Sequence, residues 1–268
     1  RGVRLPTGVE NVKATYRSGI GKPGNVKAGQ ITLLGTRPLG VKEVTNPIRA
    51  SGGADSDSRD QARQNIPIAL LALDRLVSVS DYADFSRTFA GIGKAAAWHD
   101  TDGQQQLVRV VIAGADDIPI DRSSDLYRNL YTALHRFGDP YLPIAVAVRA
   151  RLTLVISANV KVDPDYQWET LEPNIRAALL DRFRFAQMDL GEHVFLSDAI
   201  DAVQAVRGVV YVDVDVFAAL DEQMVSDGFT KQTALHLGRS DRIPVDRGQI
   251  AYLVAEVPDT LILQEIKT

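Results

Sequence analysis

IAVAVRARLTLVISANVKVD, residues Ile144 to Asp163, forms most of the greasiest stretch of the chain. A membrane helix needs about 18 or more consecutive apolar residues. Arg149 and Arg151 interrupt this run, and valine, isoleucine and threonine dominate it. Such residues suit a pleated, half-buried surface. The stretch therefore reads as a pair of strands opening an α/β unit, and direct membrane insertion is not expected.

Downstream, Trp168, Leu171, Ile175 and Leu179 recur at helical spacing, so a helix is expected on that strand pair. Ser197 is the expected N-cap of DAIDAVQAV and Gly208 its end. VVYVDVDVF follows as a strand with Val210, Val212, Val214 and Val216 on one face. The last fifty residues are strand-like only in IAYLVAEV and TLILQEI. Upstream lies a similar unit. IGKAAAWH and QQLVRVVIAG flank DTDG, whose Asp102-Gly103 pair is a hairpin signal. SSDLYRNLYTALHRFG then stacks Leu126, Leu130, Leu134 and Phe137 on one stripe and ends at Gly138.

Before these units the chain changes character. Gly52 and Gly53 mark a turn, and Asp55 is placed to cap a helix over residues 56–65. Pro67 stops that helix and starts another that runs to about Arg75. Ser80 is read as the cap of a third, DYADFSRTFA, which buries Tyr82, Phe85 and Phe89. Arg75 is expected to hold the turn before it through backbone carbonyls or the carboxylates of Asp74 or Asp81. Residues 1–44 are punctuated by Gly and Pro and supply too little apolar surface for a core, so they read as an arm that leans on another surface. The fold class is α+β. It comprises a β-rich arm (1–45), a helical cluster plus a first helix-on-sheet unit (46–150), a second such unit (151–217) and a C-terminal extension (218–268). A ferredoxin-like arrangement is one form that tandem units of this kind take.

The 268 residues include 34 acidic and 30 basic side chains, a formal charge of −4. No basic field points to nucleic acid, and the absence of cysteine removes disulfides and thiolate chemistry. RGVRLPTG at the start resembles neither an initiator methionine nor a signal peptide, which suggests a piece of a longer polypeptide. SGIGKPGN, residues 18–25, spells G-x-G-x-x-G with Gly19, Gly21 and Gly24, but VKAGQITLLG after it lacks helical spacing. A phosphate loop requires a strand before it and a helix behind it. A turn feeding a strand is the better reading, and a nucleotide- or small-ligand-binding α/β protein built on this loop is the alternative. His99, His135, His193 and His236 lack metal-ligand spacing and are assigned to packing or surface. The paired acids Asp116-Asp117 and Asp213/Asp215 are assigned to solvated faces. No catalytic, cofactor-binding or metal-binding residues emerge, and no cofactor is expected.

Three stretches form a continuous pattern: RLPTGVENVKATYRSGIGKPGNVKAGQITLL, RPLGVKEVTNPIRASGGADSDSRDQAR and IPIALLALDRLVSVSDYADFSRTFAGIGKAAA. Together they resemble the baseplate assembly protein family, the baseplate J-like wedge proteins of contractile phage tails and injection particles. The most specific part is the TNP...SGGAD stretch with the later LDRLVSVSDY; Asn46, Pro47, Gly52, Gly53, Asp55, Arg63, Pro67, Arg75, Asp81 and Tyr82 stand as structural-motif candidates. Weaker similarity continues through RFGDPYLPIAV, SANVKVDPDY and SDAIDAVQAVRGVVYVDVD to about Phe217. Asp57 stands where a glutamate is expected, and Ile66 replaces a small residue. The resemblance implies a structural part assembled in the bacterial cytoplasm and carried in a phage tail or contractile particle. Its implied partners are copies of itself and other baseplate subunits (hub, sheath-proximal and wedge proteins), with no nucleic acid. Copies would join into a ring that links the tail hub and tube to the sheath.

Overall fold

The computed structural model describes residues 19–36, 38–56, 76–226 and 229–267, together with Arg59 and Arg63, both in helical backbone. The expected helices over 56–65 and 67–75, with Pro67 and Arg75, otherwise lie outside the described residues.

Two α+β units follow one another. The first begins with helix α1, Val79–Arg87. Its N-cap is Ser78, not Ser80: the Ser78 hydroxyl accepts from Asp81 N–H at 3.3 Å, and the Asp81 carboxylate accepts from Ser78 N–H at 2.7 Å. This reciprocal capping box satisfies two orphan amides that Ser80, two residues too late and already inside the helix, cannot reach. Strands β1 (Ile92–Thr101) and β2 (Gln106–Gly114) form the expected antiparallel hairpin. Helix α2, Asp125–Phe137, is capped by Ser124 and ended by Gly138. It leads to β3, Ile144–Val148, which pairs parallel to β2. Val108, Val110 and Ile112 of β2 pack with Leu130, Leu134 and Tyr82 in the core of this unit.

Strand β4, Ala150–Val162, belongs to a different sheet. The predicted strand pair within residues 144–163 is therefore wrong. β3 completes the first sheet, Arg149 N–H still bonds Ile112 C=O at 2.9 Å, and the next amide, Ala150 N–H, already bonds Gly248 C=O at 2.9 Å. Helix α3 (Trp168–Arg182) lays Leu171, Ile175 and Leu179 on the Leu154, Ile156, Ala158 and Val160 face of β4. Strand β5 (Val194–Phe195) runs directly into helix α4, Leu196–Gln204. Ser197 is thus already inside α4 and caps nothing. The helix ends at Gln204, before Gly208.

Strand β6, Val209–Asp221, pairs antiparallel to β4 along one edge. Its register shifts opposite Ser157/Ala158 and opposite Lys161/Val162, and each bulge reverses the in-out alternation. Val214 and Phe217 consequently face the α3 side, whereas Val216 and Leu220 face the opposite layer. The four alternating valines therefore do not share one face. Short helices α5 (Glu222–Ser226) and α6 (Lys231–Leu235) follow. Strand β7 (Arg242–Ile243) pairs with β5, and β8 (Gln249–Tyr252) and β9 (Leu261–Glu265) run parallel to β4 on its other edge. β8 and β9, both within residues 218–268, thus belong to the second sheet, so this segment is not an appended extension. Neither strand order, β1-β2-β3 nor β6-β4-β8 with β9 beside β4, is ferredoxin-like. β4 is buried on both faces, which explains its continuous apolar run.

Candidate functional site

The described part of the arm, residues 19–56, contains no strand, contrary to the β-rich expectation. Side-chain amides replace a ladder. The incoming stretch 25–31 and the outgoing stretch 46–53 run side by side. Asn25 Nδ2 donates to Gly53 C=O at 2.7 Å, and Gly53 N–H donates back to Asn25 Oδ1 at 2.9 Å. Asn46 does the same further out. Its Nδ2 donates to Lys27 C=O at 2.8 Å and Ile48 C=O at 3.0 Å, and its Oδ1 accepts from Ile31 N–H at 2.9 Å. Gly29 N–H to Asn46 C=O at 2.8 Å closes the neck. Beyond that neck lies an apolar tip: Leu33 is 90% exposed and Leu39 fully so, with Ile31, Leu34 and Val41 also exposed.

The base of the arm meets the first unit through backbone. Gly52 and Gly91 both have φ of +94°, and a Cβ on Gly91 would stand 2.4 Å from Gly52 Cα. Only glycine fits both the left-handed conformation and that approach. The stretch from Gly19 to Asn25 forms neither hairpin nor phosphate loop: Lys22–Gly24 is a single 3-10 turn. Asp55 accepts from Lys22 N–H at 3.0 Å, and the Lys22 ammonium pairs with Asp55 and Asp116. Hydrogen bonding to Asp116 raises the Lys22 pKa. Two carboxylates thus occupy the ground a phosphate would need. The described bonds of Asp55 are to Lys22; the helix it was expected to cap lies outside the described residues.

The second place where polar groups converge is the junction of the two sheets. The sequence reading expects Asp117 on a solvated face with Asp116. It is instead nearly buried, its side chain 9% exposed against 7% for Arg149. Arg149 Nε and Nη2 donate to its two carboxylate oxygens at 2.6 and 2.5 Å, and the Tyr252 hydroxyl donates to Oδ2 as well. Glu222 adds a 3.2 Å contact to Arg149 and another to Arg151. Burial opposes the Arg149 charge, yet the bonds to Asp117 outweigh it and its pKa is raised. Burial, reinforced by the Asp117 charge, pushes the Tyr252 phenol well above its usual range. The Gly114–Ile118 turn that presents Asp117 holds Asp116 and Asp117 at φ of +50° and +59°, a conformation aspartate tolerates better than most residues. Arg149 is the residue between β3 and β4. One carboxylate from the first unit therefore grips the crossover and reaches a strand of the second.

The structure does not gather the motif candidates into one site. Asn46, Gly52, Gly53 and Asp55 build the neck and base of the arm, and Pro47 beside Asn46 is exposed. Arg63 is exposed on helical backbone. Asp81 serves the α1 cap, and Tyr82, 2% exposed, is a core residue whose hydroxyl accepts from Asp139 N–H at 3.3 Å. Asn25, Asp117, Arg149 and Tyr252 were not anticipated. Among the described residues no cluster of histidine and acidic side chains could hold a metal ion.

Residues 74–147 match the family described as Baseplate J-like central domain. No curated protein matches the chain. Among solved structures, a chain of the anti-feeding prophage baseplate, determined by cryo-EM with 6-fold symmetrisation, aligns with a TM-score of 0.46 and 11% identity. The alignment covers 88% of this chain and 48% of that one, so the chain spans about half the length of the solved relative.

Proposed function

We propose that this chain, whose residues 74–147 match the baseplate J-like central domain, is a wedge-type structural part of a baseplate. In this reading, copies of the chain join one another and neighbouring baseplate subunits through protein–protein contacts, forming a ring between the tail hub and the sheath. The observation that supports this most directly is the arm. A loop with Ile31, Leu33, Leu34, Leu39 and Val41 exposed, held at a neck of amide hydrogen bonds, is built to be covered by something else, because monomeric surfaces rarely keep such apolar groups together.

The test is a Leu33→Ser/Leu39→Ser chain returned to the contractile particle that normally contains it. The expected result is an unchanged melting curve for the isolated chain and a failure of baseplate assembly seen by electron microscopy. Normal particles built with the double variant would overturn the role of the arm.

A further inference from the structure

We propose that the Ile31–Gly35 segment of one copy adds as a strand to the free edge of β6, near Val209–Asp213, in a second copy. The proposal rests on the assembly reading above and names its contact. ITLLG is rich in strand-forming residues, yet among the described residues it joins no sheet: Asn46 takes the Ile31 amide and Leu33 is the most exposed residue of the segment. Along β6, β4 fills one edge. On the other, Arg239 bridges Phe217, and Ser240 N–H bonds Phe217 C=O at 3.1 Å. The Val209–Asp213 end has no strand beside it among the described residues. Val210 and Tyr211 there are 56% and 46% exposed. An exposed apolar edge is a template for a further strand.

Charge favours this edge over those of β1 and β3. From Gly19 to Arg49 the arm carries Lys27, Arg37, Lys42 and Arg49, besides the Lys22 that Asp55 and Asp116 already pair, against Glu43 alone, while β6 carries Asp213, Asp215 and Asp221 and no basic residue, Arg239 lying 3.7 Å from Asp213. β1 balances Lys94 against Asp100, and β3 has no charge at all. Neither presents a large apolar side chain as exposed as Val210. Because donor segment and acceptor edge are different surfaces, each copy uses both, and the contact runs head to tail as a ring requires.

The chain has no cysteine, so paired single-cysteine copies report the contact directly. A Leu33→Cys copy is mixed with a Tyr211→Cys copy under mild oxidation, and a Leu33→Cys copy with a Tyr141→Cys copy serves as control, all three sites being exposed. The expected result is a 33–211 disulfide, identified by mass spectrometry, that forms several times faster than the 33–141 control and slows when Asp213→Lys and Asp215→Lys are added. Oligomers seen by light scattering without the 33–211 bond would overturn the strand addition and leave the assembly reading standing. Absence of any association, alone or with the other baseplate subunits, would overturn both.

Discussion

Asp117→Ala should weaken the whole molecule and uncouple its two halves. The substitution leaves the Arg149 guanidinium, 7% exposed, without its two shortest bonds. Removing one partner of a buried pair typically costs about 3–5 kcal/mol. Glu222, 3.2 Å from Arg149, offsets part of that. The unpartnered Tyr252 hydroxyl and the left-handed backbone at residue 117, which alanine adopts less readily, add about 1 kcal/mol or more each. The net loss is about 3–5 kcal/mol, a large share of the about 5–15 kcal/mol that holds a typical domain together.

The two tryptophans make this measurable, because Trp98 lies on β1 and Trp168 opens α3, one in each unit. Urea unfolding is followed by fluorescence in Trp168→Phe and Trp98→Phe backgrounds. The parent chains should give coincident transitions. With Asp117→Ala the midpoints fall, and the transitions separate because the crossover no longer transmits cooperativity. Asp117→Asn, which keeps the shape and an acceptor for Tyr252, should cost about half as much. A double-mutant cycle with Arg149→Met isolates the pair. Unshifted, coincident transitions in Asp117→Ala would refute the idea that this carboxylate joins the units.

Asn46→Ala removes three side-chain bonds at the neck; the amides of Gly29 and Ile31 should exchange faster while global unfolding moves by only about 1 kcal/mol. Gly91→Ala drives a Cβ into Gly52 at 2.4 Å, so the arm base should detach, read as cleavage within residues 19–56 at protease levels that spare the parent. The Asp81 pKa is lowered from 3.8, chiefly by the Ser78 hydroxyl and then by the Ser78 and Val77 amides. A depressed carboxylate stabilises the fold above its unfolded pKa and loses that contribution as pH falls through the folded value. The α1 amides should therefore lose protection below about pH 3.8, and Asp81→Asn should remove that acid dependence; an identical acid profile in both chains would exclude the capping box as its source.

What was legible in the sequence was local. The Leu126, Leu130, Leu134 stripe, Gly138 after it and Asp102-Gly103 between two strands each encode structure within a few residues, and each is found where expected. Ser78-x-x-Asp81 is equally local, yet the sequence reading puts the cap at Ser80, directly before DYADFSRTFA. Strand partners were not legible. Nothing in IAVAVRARLTLV marks that β3 and β4 enter different sheets, because both need the same β-branched chemistry. The bulges in β6 depend on its register against β4 and not on its own valines. The junction was least legible of all. Asp116-Asp117 looks like any exposed acidic pair until the fold brings Arg149 from 32 residues away and Tyr252 from 135.

The two polar constructions divide the work by strength. A charged, buried junction ties the first sheet to the second through Asp117, Arg149 and Tyr252. Neutral amide bonds at the arm neck, each worth about 1 kcal/mol net, fix where the apolar tip stands without fixing what it touches. Covering one exposed leucine yields about 1.5–3 kcal/mol, while ordering each tip residue costs about 1–2 kcal/mol of backbone entropy. A single tip of a few such residues therefore holds its neighbour weakly. Under the proposed ring, each copy both gives and receives an arm, and closure makes the last contact intramolecular, so stability comes from the closed set and not from any pair. Weak single contacts on rigid bodies also let a misplaced subunit leave before the ring closes.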